Sequence, residues 1–408
     1  MFDFFEKVAE GIGFKLISDF SSKIYDWIKE INKNAENNSN QNNIATSGDS
    51  SKVATSGDGS KVATSGDGSK VATSGYFSRI ATSGDSSQVA TSGYSSKVAT
   101  SGDSSQVATS GDSSKVATSG DFSRIATSGY SSQVATSGDS SQVATSGNYS
   151  KVATSGYSSK VATSGDFSRI ATSGNYSQVA TSGDDSKVAT SGNYSQVAIE
   201  GNNSVVFTCG YKSIIKAQKG TWISLCEYRK DEEGYSIPFF ATSAQIGNNE
   251  YKDFKGRILK ETEYYCLYNK KFYPVDISDG IKNIKISEKK RDGITIIKAI
   301  DFYNTDEECY IVKEGELNAH GETLQQALED LQYKKIKSEE VQAIVKEIKK
   351  TGKVNKAQYR AITGACQYGT NKFCEEHSIT VDEIELSELK KILIDDYGAR
   401  RFWELIEK

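Results

Sequence analysis

Proline is nearly missing from this chain: its 408 residues contain only Pro238 and Pro274. With so little proline, the 35 glycines do not read as linker material and belong instead at fixed turn positions. Histidine is confined to His320 and His377, and no cluster of histidine and cysteine has metal-site spacing. The six cysteines (Cys209, Cys226, Cys266, Cys309, Cys366 and Cys374) are scattered through the C-terminal half without close pairs. Near the N-terminus, Asp3, Glu6, Lys7, Glu10 and Lys15 interrupt the apolar positions, so the core of a secretory signal is lacking. The cysteines therefore read as reduced thiols, and the expected location is cytoplasmic. No apolar run approaches a bilayer span. A net charge of -4 with 25% charged residues argues against a dedicated nucleic-acid or membrane binder.

What the chain has is a period. From Gly48 to Gly210 a glycine recurs every ninth residue, each followed three residues later by serine, as in Gly48 to Ser56. A strict period marks a solenoid, whose units bury their apolar side only by stacking. Within a unit, Ser51, Val53 and Thr55 share one parity and Lys52, Ala54 and Ser56 the other, so valine inside puts lysine outside. Glycine followed by Asp, Asn or Tyr makes the turn, glycine being expected for a positive φ and Asp or Asn for bonds to nearby backbone. One unit is a strand and a turn. Two units then close a coil of about 18 residues, and about nine coils at about 4.8 Å make a parallel β-roll roughly 40 Å long. Serine and threonine at inward positions predict hydroxyls bonded in ladders along the axis.

Several chemistries are disfavoured by the repeat. A calcium-binding nonapeptide roll needs paired glycines and an aspartate in every unit, whereas Tyr76, Tyr94, Tyr130, Tyr157, Asn148, Asn175 and Asn193 follow the glycine here. Ice binding needs outward threonines, and parity sends them inward. From Gly48 to Asn203, twelve acids nearly balance eleven outward Lys and Arg. Mimicry of nucleic acid therefore requires acids and bases on separate faces. Phe77, Phe122 and Phe167 repeat at 45 residues, five units, so consecutive ones are expected on opposite sides. We read them as copied blocks, not as a selected stripe.

The flanks read as helix and mixed structure. Phe20, Ile24, Trp27, Ile28 and Ile31 lie on the apolar stripe of an amphipathic helix over 1–31, expected to drive homo-oligomerisation, with capping of the roll as the alternative. An Asn-rich tether covers 32–43, the solenoid 44–218, a small antiparallel β domain 219–280 and an α+β module 281–408. Val205 and Phe207 are expected to plug the last coil. A hairpin is predicted over 221–240. Thr323 with Gln326 predicts a capped helix carrying Leu324, Ala327, Leu328 and Leu331. Helices follow around Val341 to Ile348, from Asn355, and through Phe402, Trp403 and Ile406.

Two resemblances follow. The unit, above all Gln196 to Ser204, resembles the head repeats of trimeric autotransporter adhesins, which implies a β-roll; the exported, trimeric context of that family is lacking. The layout resembles phage and prophage proteins that join such repeats to a small β domain and a C-terminal module. The matching pieces are Gly256 to Thr262 with Tyr264, His320 to Asp330, Ile362 to Cys366 with Gly369 and Phe373, and Tyr397-Gly398 with Phe402. That resemblance implies no established activity.

Candidate chemistry in the C-terminal module is thin. Gly364 and Gly369 have phosphate-loop spacing, but Thr370 and Asn371 replace the lysine and the Ser or Thr. Cys366, Cys374 and His377 lack an orienting third group, and His320 reads as a backbone-bonded residue at a helix entrance. No catalytic, cofactor or metal residue is assigned. The expectation is a mainly β, non-catalytic interaction scaffold with an unidentified protein partner. The alternatives are an inhibitor of a bacterial defence complex or an enzyme in the C-terminal module.

Overall fold

The computed structural model describes residues 43–278, 280–334, 338–365, 367–393 and 398–407. The stripe of Phe20, Ile24, Trp27, Ile28 and Ile31 lies outside them, as do Cys366 and Tyr397. The chain divides between Phe272 and Tyr273 into two compact units. The fold is mainly β: a parallel β-solenoid, then a C-terminal α/β region.

Twenty four-residue strands, β1 (Asn43–Thr46) to β20 (Ile214–Ala217), recur every nine residues. Odd strands form one sheet and even strands a second. Each pairs in parallel with the strand 18 residues on, as Lys61↔Arg79 and Val62↔Ile80 show. Two units thus close one coil, giving about ten turns. The core is a column of Val and Ile at the second strand position, with Val71, Val107 and Val179 fully enclosed. Each such side chain contributes roughly 1.5–3 kcal/mol.

The hydroxyls depart from expectation. Part of the serine column bonds locally, Oγ donating to the carbonyl of the glycine three residues earlier, at 2.7 Å in Ser69, Ser87 and Ser168, whereas Oγ of Ser105, Ser114, Ser123, Ser132 and Ser141 is buried without a partner. Threonine bonds to nothing: Oγ1 of Thr64, Thr82, Thr100 and Thr118 is buried without a partner. The reason is spacing. Equivalent atoms on successive coils are about 4.8 Å apart, beyond the 2.5–3.0 Å or so of an O–H···O bond. Since an unpaired buried hydroxyl costs about 1–3 kcal/mol, Thr118→Val is expected to raise the thermal midpoint by a few degrees. A lower midpoint by circular dichroism would show that the hydroxyl is bonded in solution.

The glycine is needed for a different reason than a positive φ. The left-handed residue is the one after next, including Ser86 (φ 56°), Phe122 (55°) and Tyr149 (58°). Glycine is required by close approach: a Cβ on Gly120 would stand 2.1 Å from the carbonyl oxygen of Gly102 one coil earlier. The turn aspartates supply the axial ladder that threonine does not. Asp49, Asp67, Asp85, Asp103, Asp121 and Asp139 each accept, through Oδ1, the backbone N–H of the residue 18 later, at 2.7–3.1 Å.

Val205 and Phe207 do not plug the roll. They align with Lys187 and Ala189 on the outer face and are 45% and 46% exposed, because parity puts Val206 inside instead. The end is closed by Ile199, Ile223, Leu225, Leu259 and Tyr265. There β21 (Trp222–Lys230) pairs in parallel with Val205–Thr208 and in antiparallel with β22 (Ser236–Gln245), forming the hairpin. Strand β23 (Tyr264–Tyr268) meets β20 in antiparallel.

In the second unit, β24 (Lys271–Ser278), β25 (Ile281–Arg291), β26 (Ile294–Asp301), β27 (Glu308–Glu314) and β28 (Leu317–Gly321) form an antiparallel meander. Helix α1 (Leu324–Tyr333) lays Ala327 and Leu331 against Val312 and Ala319. Its cap is half the expected box: Thr323 accepts the Gln326 N–H, but the Gln326 side chain takes the N–H of Glu322. Helix α2 (Ser338–Thr351) ends at Gly352 (φ 72°). A short ribbon, β29 (Lys353–Asn355) with β30 (Glu383–Glu385), brackets α3 (Lys356–Thr363) and α4 (Gln367–Glu376). Asn355 and Gln358 complete a capping box on α3. After α5 (Leu386–Ile392), α6 (Ala399–Ile406) buries Phe402 with Val341, Val345, Ile348 and Ile362. No helix among the described residues is long and apolar enough to cross a membrane.

Candidate interaction surface

Pairing at 18 residues turns each sequence position into an in-register column. It also sends alternate units to opposite sheets. On the first, odd-strand sheet the outward position beside valine holds Lys61, Arg79, Lys97, Lys115, Gln133, Lys151, Arg169 and Lys187 in register. Seven of these eight are cationic, and all are exposed. Among the described residues none of the seven cations has an ion-pair partner. On the second sheet the same position is cationic at Lys52, Lys70, Arg124 and Lys160 only, the rest from Gln88 to Gln196 being glutamine. The alanine column is exposed on the first sheet, whereas Ala72, Ala90, Ala108 and Ala180 on the second are buried. The first sheet is the open face. Two grooves, of about 1350 Å³ and 1470 Å³, flank its alanine column along the roll.

The two turn edges differ in chemistry. The edge leading into the second sheet carries the six consecutive aspartates from Asp49 to Asp139, then a tyrosine ladder. In that ladder Tyr157, Tyr176, Tyr194, Tyr211 and Tyr228 follow one another at centroid distances of 5.2, 4.8, 5.5 and 5.5 Å. Burial, with the neighbouring phenols as a second cause, pushes Tyr194 above the usual tyrosine range. The edge leading into the first sheet mixes Asp58, Asp112, Asp166 and Asp184 with exposed rings: Tyr76, Phe77, Tyr94, Tyr130, Tyr149 and Phe167. Phe77 meets Tyr94 edge-on at 6.0 Å, and Tyr149 stacks on Phe167 at 4.9 Å. Phe122 sits on the opposite edge from Phe77 and Phe167, as an odd five-unit spacing requires. Phenylalanine alone forms no stripe; joined by tyrosine, it does.

The column of cations was within reach of sequence reading. Sorting the units by odd and even order separates the lysine-rich set from the glutamine-rich set, but only once alternate units are known to face opposite ways.

The C-terminal candidates are scattered. His320 lies in β28 opposite Ile311, shortly before the Thr323 cap of α1, and is fully buried. Cys374 is buried, which pushes its thiol up, and His377 packs on Phe373 at 4.5 Å. Gly364 is the left-handed C-cap of α3 and Gly369 lies within α4, so the two glycines do not belong to one loop. Sequence reading missed two ion pairs that tie this unit together, each joining a buried aspartate to a partly buried cation: Arg360 to Asp330 at 2.6 Å and Lys372 to Asp301 at 2.7 Å. The Asp330 carboxylate also takes the Gln367 N–H.

No group of three metal-binding side chains occurs among the described residues. Each turn aspartate of the acidic edge already spends an oxygen on backbone of the next coil. Circular dichroism melts with and without a calcium chelator are therefore expected to superimpose; a drop of many degrees on chelation would mean the turns hold ions. Comparison with family models, with curated proteins and with solved structures gives no match.

Proposed function

We propose that the chain is a non-catalytic interaction scaffold whose roll both spaces and multiplies a binding surface. The observation that carries this reading is repetition in register: pairing at 18 residues places each outward residue above its equivalent one coil earlier. A surface built by copying units changes length without changing chemistry. The resemblance to phage and prophage proteins supports a partner in a bacterial host. The acidic edge favours a second reading within this class. Six aspartates in line on one edge support imitation of a phosphate backbone, and so the blocking of a defence complex that binds nucleic acid, although the separation of charge is partial: Asp58, Asp112, Asp166 and Asp184 border the cationic face, and Lys52, Lys70 and Arg124 the acidic edge.

The test is affinity purification from bacterial cells, followed by mass spectrometry, with full-length protein and a variant lacking 36 residues from the middle of the roll, two complete coils. Under the scaffold reading a specific partner co-purifies, and its amount per chain falls with coil number if the surface is multivalent. Nothing above a tag-only control would overturn it. Release of the partner by duplex DNA would support the mimicry reading, and indifference to DNA would remove it.

A further inference from the structure

We propose that the outer face of the first sheet, with the turn edge leading into it, is a track for single-stranded nucleic acid. The net charge of -4 argued against such a partner, but it is an average over faces of opposite character. The fold separates them. Seven exposed cations stand in register from Lys61 to Lys187, over seven coil-to-coil steps and about 34 Å. Six exposed rings line the adjacent edge, and the chain order places each beside a column position: Phe77 two residues before Arg79, Tyr94 three before Lys97, Tyr149 two before Lys151, and Phe167 two before Arg169.

Cations that follow a backbone, beside rings that stack on bases, are the two elements of sequence-tolerant single-strand binding. The rings fall in two groups, Tyr76 to Tyr94 and Tyr130 to Phe167, separated by Asp112. Bases would add to the open ends of each group, since the interior faces already meet one another. A duplex fits less well. Its stacked and paired bases offer no face to a ring. The opposite edge, with aspartate in six successive coils, repels phosphate and so directs a strand to this side. Aspartates on the aromatic edge limit affinity, which places the expected dissociation constant in the micromolar range at low salt.

The repeats themselves supply tolerated replacements: Gln133 already stands in the cationic column, and Ser at the ring positions of other units. The experiment is fluorescence anisotropy of a labelled 20-nucleotide oligo-dT with full-length protein between 50 and 200 mM salt. Saturable binding is expected, with a log–log salt slope of about -3 to -5, from about -0.7 per neutralised phosphate. The triple variant Lys97→Gln, Lys115→Gln, Lys151→Gln is expected to bind at least tenfold more weakly, with the slope reduced by about 2. The matched triple Lys52→Gln, Arg124→Gln, Lys160→Gln on the second sheet should remain within twofold. Replacing Phe77, Tyr149 and Phe167 by Ser should weaken oligo-dT binding while leaving the salt slope unchanged. Circular dichroism confirms that each variant folds. The proposal is overturned by absence of binding at 50 mM salt, by equal losses from the two lysine sets, by equal affinity for a 20-base-pair duplex, or by displacement with polyglutamate at matched charge, which would point to an acidic protein partner. Any of these outcomes leaves the scaffold reading standing, because that reading is tested by a protein partner.

Discussion

Replacing Gly120 by alanine is expected to break the roll at its middle and to lower its thermal midpoint by about 6–12 °C. The added Cβ would lie 2.1 Å from the carbonyl oxygen of Gly102 and 2.4 Å from its carbon. Both atoms are backbone, fixed by ladder bonds on either side, so no rotamer can relieve the overlap. Overpacking costs about 1–3 kcal/mol where side chains can move and more where they cannot. A loss of about 3 kcal/mol corresponds to that shift for a unit of this size. Because a solenoid is held by nearest-neighbour stacking, the damage should be local: hydrogen exchange should accelerate in the coils around Gly102 and Gly138 before it does near Val53. Phe122→Ser in the same turn provides the contrast. Its φ of 55° is one that serine adopts at Ser86 and Ser104, so the midpoint should move by no more than about 2 °C. A Gly120→Ala protein that melts with the parent would mean the coils have slack that the structure does not show.

Lys372→Met is expected to destabilise the C-terminal unit by about 3–5 kcal/mol at neutral pH, the cost of leaving a buried charge without its partner. Asp301 is fully enclosed, and its carboxylate receives the Lys372 ammonium at 2.7 Å and the N–H groups of Tyr303 and Asn304. Burial opposes its ionisation, yet these bonds outweigh burial and hold its pKa below the usual carboxylate value. The direction fixes the pH dependence. A depressed folded-state pKa stabilises at pH values above the unfolded carboxylate pKa, about 3.9, and that stabilisation is lost as pH falls through the folded value. Without Lys372 the folded pKa rises, so the gap between parent and variant should narrow on acidification below about pH 4. Urea melts at pH 7 and pH 3.5 measure both quantities. A variant equally destabilised at the two pH values would show that Lys372 acts by packing its stem and not by its charge.

Where the sequence could be read alone, the relevant signal was local or periodic. The glycine period and the parity of Val53 against Lys52 specify strands, turns and coil length, because a side chain's face in a strand depends only on odd or even position. The capped helix starts at Thr323 and Asn355 were legible for the same reason, since a cap is an interaction between residues three apart. The expectations that failed concerned contacts between coils. Threonine ladders looked reasonable until the coil spacing was set against the reach of a hydroxyl. Glycine was assigned to a positive φ when the true demand was room for the neighbouring coil's carbonyl. Val205 and Phe207 looked like plugs because they are large, and their position sends them outward.

The amino-acid sequence by itself determined that this protein is a solenoid of nine-residue units with valine inside and charge outside, since a strict repeat leaves each unit no other way to bury its apolar side. Only the tertiary structure decided how the surface charge is arranged. Alternate units, nearly alike in sequence, are sent to opposite sheets by the two-unit coil. A chain with nearly balanced charge thereby acquires a column in which seven of the eight positions from Lys61 to Lys187 are cationic and an edge where aspartate recurs in six coils running. The pairing of Lys372 with the buried Asp301 was equally closed to sequence reading, since 71 residues separate partners that only the folded unit brings within 2.7 Å.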